Sequence, residues 1–258
     1  VTLFAVAGYI TRRSSSATSS RPPTGWCSRT SGNLGAVDGA LAIVLAAGRA
    51  ERLDATIPKA LMAFGGSSIV ARAVERASAA FAVSGVVVVA PPGWEDEVRR
   101  LVEAYGVATV VAGGTTRQAS VAAGLSVVPP TAKRVLCHDA ARPLASTALF
   151  TRTLEALEGW DGVVPTLPMV DTVKRVQDGR IEKTEPRGSL ALAQTPQAFS
   201  AAALRDAHER AIREGFDGSD DALLLERAGY RVRAIEGERT NLKITTPDDI
   251  RLAEALAR

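Results

Sequence analysis

Residues 41–52 read Leu-Ala-Ile-Val-Leu-Ala-Ala-Gly-Arg-Ala-Glu-Arg, and Pro58-Lys59 follow shortly after. The run 41–46 is apolar without alternation, as expected of a strand covered on both faces. It then gives way to small residues and to charge. Outward from it the same texture recurs at 86–90, 107–111, 134–137 and 162–166, each run short and rich in valine. Between the first two, Ile69, Val70, Ala73, Val74 and Ala77 fall at helical spacing, as do Val98, Leu101 and Val102, and then Val121, Ala122 and Leu125. Strand and helix in alternation predict an α/β domain with a mostly parallel sheet and helices on both faces. Ligands of such a sheet bind at the carboxyl ends of its strands.

The alternation breaks over 168–192. Two polar segments, 171–176 and 180–184, flank Gln177-Asp178-Gly179, and Asp-Gly between such segments predicts a two-stranded hairpin. Asp171, Lys174, Arg175, Arg180, Glu182 and Lys183 leave it little to bury, so it should project from the body. Helices are expected again at 201–213 and 220–227, then a strand at 230–235 and a closing helix at 247–256. No internal repeat is visible.

Four segments at expected strand ends carry candidate chemistry. Ala46, Ala47 and Gly48 let backbone N–H groups approach a phosphate chain, and Arg52 and Lys59 supply compensating charge. The loop matches neither the dinucleotide fingerprint nor the P-loop. Cys137-His138-Asp139-Ala140-Ala141-Arg142-Pro143 presents a carboxylate that can orient a metal–phosphate assembly or a substrate hydroxyl, the alternative being an Asp–Arg pair that closes the strand. His138 reads as a structural imidazole, with a general base as the other possibility. Gly113-Gly114-Thr115-Thr116-Arg117-Gln118-Ala119-Ser120 opens a helix, with Thr116 placed to cap it. In 241–249, Thr246, Pro247 and the following acids explain themselves as a helix start, whereas Lys243 does not.

Composition excludes other classes. The chain of 258 residues is 46% hydrophobic and 23% charged, ordinary for a globular domain. Its net charge of +3 comes from Arg12, Arg13, Arg21 and Arg29 against Asp38, leaving 27 basic and 27 acidic residues over 39–258, so no nucleic-acid partner is expected. Cys27 and Cys137 have no metal or disulfide spacing, which suits a reducing cytoplasm. The apolar opening at 1–10 is too short to span a bilayer. Serines and prolines dominate 11–38, and residues 1–38 are expected to be a disordered extension before a single domain over 39–258.

The first of these segments resembles the nucleotide-binding signature of the sugar-nucleotide and cytidylyl transferases, with Ala50 and Ala60 as departures. His138 to Pro143 resembles the signature of the methylerythritol phosphate cytidylyltransferases nearly letter for letter. Matches run from Leu45 to Asp249. The resemblance implies a single Rossmann-like nucleotidyltransferase domain with a hairpin dimerisation arm, which joins CTP to methylerythritol phosphate with Mg²⁺ bridging the triphosphate. It implies nucleotide contacts from Ala46, Ala47, Gly48, Gly114, Thr115, Ser120, Asp139 and Ala140, with Arg117 in support. Arg52 and Lys59 are then expected to stabilise the transition state. Arg187 and Lys243 are expected to aim the attacking phosphate, and Asp139, Arg142, Thr172, Thr195 and Ser219 to complete the substrate site. Thr172 and Arg187 are expected to come from the partner of a homodimer that exchanges arms. Two rivals stand beside it: the same chemistry on another polyol phosphate, such as ribitol 5-phosphate, and a non-catalytic relative.

Overall fold

The computed structural model describes residues 39–48 and 57–257, all of them within one compact unit. Strand β1 (Ala40–Leu45) lies at the centre of an eight-stranded sheet, hydrogen-bonded to β4 (Val83–Ala90) on one side and β6 (Arg134–Asp139) on the other, both parallel. Beyond β4 lies β5 (Thr109–Ala112), also parallel. A small β2–β3 ribbon (Ala63–Phe64, Ser67–Ser68) leads into helix α1 (Ile69–Ala79). Helices α2 (Glu95–Val102), α3 (Arg117–Ser126) and α4 (Thr147–Glu155) complete the crossovers up to β7 (Gly162–Pro168).

The sheet has three layers because strand residues alternate in direction. Ala42, Val44, Val86, Val88 and Leu136 face one way and pack against α1, α2 and α4 through Val74, Val98 and Phe150. Leu41, Ile43, Val87, Val89 and Cys137 face the other way. There they meet Val121 and Leu125 of α3, Leu204 and Ala207 of α5 (Ala201–Glu214) and Leu225 of α6 (Asp221–Arg227). Each buried Val or Leu contributes roughly 1.5–3 kcal/mol, so the unalternating strands at the centre fix the register.

The expected strands are present with ends shifted by at most three residues. Besides the small β2–β3 ribbon, three elements were not anticipated: helix α4, capped by Ser146 whose hydroxyl accepts the Leu149 N–H, and a pair of short strands after the hairpin. These are β10 (Ala191–Ala193) and β11 (Gln197–Ser200), antiparallel to β7, with β11 inserted between β7 and β6. Both were invisible to periodicity because they are only three and four residues long and are interrupted by Pro196. The edge strand β12 (Val232–Glu236) returns parallel to β7, so six of the eight strands in the large sheet run one way. Helix α7 (Pro247–Leu256) closes the chain with Thr246 as N-cap and a reciprocal capping box through Asp249.

The hairpin is a separate two-stranded sheet, β8 (Val173–Gln177) with β9 (Arg180–Glu185). Asp178 and Gly179 have φ of 49° and 77°, the left-handed pair that a two-residue turn of this kind demands. Nearly every side chain on it is exposed, including Val176 and Ile181.

Candidate active site

Three strands end side by side. Leu45 is in register with Asp139 on one side and Val89 on the other, and Ala90 pairs with Ala112. The loops leaving β1, β5 and β6 therefore share one edge of the sheet. Gly113 makes that convergence possible: a Cβ there would lie 2.3 Å from the Cβ of Ala47 and 3.2 Å from the carbonyl oxygen of Ala90. At Gly114 a Cβ would stand 2.4 Å from that of Ala119. The hydroxyl of Ser120 accepts the Gly114 N–H at 3.2 Å and donates to the Thr116 carbonyl at 2.9 Å, so it shapes the glycine loop from beneath. Thr116 caps α3, its hydroxyl accepting the Ala119 N–H.

The loops enclose a pocket of about 260 Å³. Ala46, Ala47, Gly48, Lys59, Gly114, Thr115, Ser120, Asp139, Ala140 and Lys243 all line it, as expected from sequence, and Arg117 lies among them. Arg52, Ala50 and the extension at 1–38 fall outside the described residues. Thr172, Arg187 and Ser219 are exposed and do not line the pocket. The Arg187 guanidinium donates to the Val170 carbonyl at 2.6 Å, at the base of the hairpin.

Two expected substrate contacts are turned elsewhere. The hydroxyl of Thr195 accepts the Asp139 N–H at 3.0 Å and lies 3.2 Å from His138 Nδ1. It is buried and holds the loop after β6 from behind. Arg142 donates to the carbonyls of Asn241 at 2.7 Å and Ala193 at 3.2 Å, tying the loop after β6 to the segment before α7 and to β10. Neither lines the pocket: Thr195 sits between β10 and β11 and Arg142 bonds to β10, strands that left no signal in the sequence. His138 is fully buried, tilted against Phe150 with ring centroids 4.9 Å apart. Burial holds its pKa down at about 4, with Asp139 pulling up and Arg142 pushing down. It is a neutral, structural imidazole.

Asp139 is the electrostatic centre. Its Oδ2 accepts from Lys243 Nζ at 2.7 Å, and its Oδ1 faces Arg117 Nε at 3.4 Å. Burial alone would push this carboxyl up, but Arg117 and Lys243, joined by Arg142, override it and hold it well below the usual carboxylate range. Lys59 also lines the pocket and donates to the Ile244 carbonyl at 3.1 Å, one residue beyond Lys243. Small residues open the backbone, one lysine and one arginine pair with Asp139, and Lys59 adds a further positive charge to the pocket lining. That arrangement suits a polyphosphate chain beside a second anionic substrate.

Sequence reasoning passed over what lies behind Arg117. Its Nη1 donates to Asp221 Oδ2 at 2.8 Å, and Asp221 Oδ1 meets His208 Nε2 at 3.0 Å. Ser219-Asp220-Asp221 reads by resemblance as a turn near the substrate, with Ser219 supplying the hydroxyl, and His208 lies inside a helix. No local pattern joins positions 117, 208 and 221. Among the described residues no three His, Cys, Asp or Glu side chains converge as a metal site, and none of the helices is long and apolar enough to cross a membrane.

Comparison with known proteins agrees with this geometry. The family model for 2-C-methyl-D-erythritol 4-phosphate cytidylyltransferase matches residues 40–258. An enzyme of that name from Rhodococcus jostii is 45% identical over 218 residues, covering 84% of this chain and 94% of the relative. One from Geobacter metallireducens is 41% identical, covering 84% and 97%. A bifunctional IspD/IspF enzyme of Nitratidesulfovibrio vulgaris is 42% identical over 83% of the chain, which spans only 57% of that longer protein. The crystal structure of 2-C-methyl-D-erythritol 4-phosphate cytidylyltransferase from Thermus thermophilus superimposes with a TM-score of 0.71 at 39% identity, over 85% of this chain and 99% of that one. Fold and sequence agree, and the chain belongs to the 2-C-methyl-D-erythritol 4-phosphate cytidylyltransferase family of nucleotidyltransferases.

Proposed function

We propose that the protein transfers CMP from CTP to 2-C-methyl-D-erythritol 4-phosphate, forming 4-diphosphocytidyl-2-C-methyl-D-erythritol and pyrophosphate in isoprenoid biosynthesis in the cytoplasm. The observation that carries this reading is the ionised Asp139 shared by Lys243 and Arg117 beside the open backbone of 46–48 and 114–115. The methylerythritol phosphate oxygen attacks the α-phosphorus of CTP as the bond to the bridging oxygen of the β-phosphate breaks, and pyrophosphate carries away that electron pair. No general base is required, because a phosphate monoester is already largely ionised near neutral pH. The protein positions the reactants and stabilises charge. Ala46, Ala47 and Gly48 present N–H groups to the triphosphate, Gly114 and Thr115 face the cytosine, and Lys59 stabilises charge on the leaving group, with Arg52 expected beside it. Lys243 guides the incoming phosphate.

Asp139 is the single carboxylate among the described lining residues, and it is already neutralised by two cations. A Mg²⁺ ion in this reaction would thus be held mainly by CTP, with Asp139 as the one protein oxygen at hand; when bound, it withdraws charge from the triphosphate oxygens.

The hairpin supports a homodimer. Among the described residues nearly all of its side chains are exposed, the apolar Val176 and Ile181 included, and isolated two-stranded sheets are marginal in water. An exchange of arms about a two-fold axis brings Thr172 and Arg187 to the partner's pocket and completes the polyol-phosphate half of the site. The reaction is tested by ³¹P NMR of the protein with CTP, Mg²⁺ and methylerythritol phosphate. A new pair of coupled diphosphate resonances with equimolar pyrophosphate is expected, and their absence removes the assignment.

A further inference from the structure

Behind the pocket lies a buried polar chain that the reaction as described does not use. Asp221, the first residue of α6, is fully buried and divides its two oxygens between Arg117 Nη1 at 2.8 Å and His208 Nε2 at 3.0 Å. Arg117 in turn reaches Asp139 with Nε alone, and its Nη2 is buried with no partner. Neither Asp221 nor His208 lines the pocket. A buried charged network of this kind is weak evidence for stability, since apolar residues of similar volume often do as well. Its geometry, however, has a consequence for the site.

A guanidinium left to itself takes a carboxylate bidentately, through two parallel N–H bonds. Here the fork is not engaged. The bond from Nη1 to Asp221 fixes the plane of the guanidinium, so that Nε alone reaches Oδ1 of Asp139, Nη2 beside it stays unpaired, and Oδ2 is left to Lys243. We propose that Asp221, backed by His208, is a positioning residue: by holding one arm of Arg117 it keeps that arginine from capturing both oxygens of Asp139, and so preserves the Asp139–Lys243 pair that aims the attacking phosphate. The same turn of α3 ties down the segment leading to α6, since Gln118 donates to the Phe216 carbonyl and accepts the Gly218 N–H. Arg117 and Asp221 are thereby held in reach of one another.

The kinetic consequence rests on the cytidylyltransferase reading, but the geometry can be tested without it. Lys243 Nζ is 43% exposed at the side chain, so its reaction with a limiting acylating reagent, followed by mass spectrometry, reports its pairing with Asp139. The exposed Lys174 serves as internal control. In Asp221→Asn the labelling of Lys243 relative to Lys174 should rise about 3-fold or more, because the freed fork of Arg117 displaces it. In an Arg117→Gln background the same substitution should change nothing, since no fork remains to be restrained. If Asp221→Asn is not recovered folded, His208→Leu carries the test, and labelling should rise about 2-fold as Asp221 loses its backing. In turnover assays Asp221→Asn should lower kcat/KM for the polyol phosphate about 10-fold or more, with CTP affinity by calorimetry within about 3-fold of wild type. Unchanged Lys243 labelling in Asp221→Asn, or in His208→Leu where that variant stands in, or an equal rise with and without Arg117, would overturn the proposal. Wild-type protein that releases no pyrophosphate would instead defeat the assigned reaction and leave the labelling result to decide the relay.

Discussion

Lys243 Nζ and Asp139 Oδ2 stand 2.7 Å apart across 104 residues of sequence, the one held by the segment before α7 and the other by the end of β6. The pair joins the last loop of the domain to its central sheet and puts a cation at the mouth of the pocket. Replacing Lys243 with Gln should lower kcat/KM for the polyol phosphate by a factor of about 100, the scale of a lost charge-assisted contact made mainly to the attacking group. Steady-state kinetics with each substrate varied in turn checks it. The change should fall on the polyol phosphate and spare the KM for CTP.

Lys59 lines the same pocket as Lys243 and is anchored by the Ile244 carbonyl at 3.1 Å. Lys59→Ala should reduce kcat by a factor on the order of 100 or more, since one positive group aimed at a developing oxyanion supplies about 3 kcal/mol. Single-turnover measurement of pyrophosphate release separates this from any effect on product dissociation. Turnover close to wild type would remove Lys59 from the chemistry.

His138 makes stability depend on pH. Its folded pKa of about 4 lies below the ordinary 6.5, so as pH falls the unfolded chain takes up the proton first. The stabilisation is complete above pH 6.5 and is lost progressively down to pH 4, by about 3 kcal/mol in all. Asp139 acts in the same direction but below its ordinary value of 3.8. Urea unfolding at pH 7.5, 5.5 and 4.5 should show the loss, and His138→Gln should flatten it over that window.

Subunit exchange tests the arms. Mixing inactive Arg187→Ala protein with inactive Lys59→Ala protein should restore activity, because a heterodimer with shared sites contains one site with both lesions and one with neither. Activity should approach half the wild-type value per heterodimer. A mixture that stays inactive after exchange is verified by mass would mean that the arm serves its own chain.

The central strands were legible because burial on both faces leaves runs such as 41–45 and 86–90 with no polar residue to blur them. The hairpin was legible through Asp178-Gly179, whose backbone requirement few other pairs meet. What periodicity could not supply was β10 and β11, and with them the roles of Thr195 and Arg142. Much of the pocket lining could be assembled from sequence because Ala46 to Gly48, Gly114 to Thr115 and Asp139 each sit within a few residues of a strand end. Arg117, His208 and Asp221 meet only through the packing of α3, α5 and α6, a contact that no local pattern encodes.

The assignment as a whole is tested most directly by a pyrophosphate-release screen of CTP, UTP, ATP and GTP, each against methylerythritol phosphate, ribitol 5-phosphate and erythritol 4-phosphate. The account predicts release with CTP and methylerythritol phosphate together, at a kcat/KM about 100-fold or more above every other combination, as expected where a site's buried polar groups are matched to one partner. Equal or faster release with ribitol 5-phosphate, with another nucleotide, or with none of the twelve pairs would contradict it.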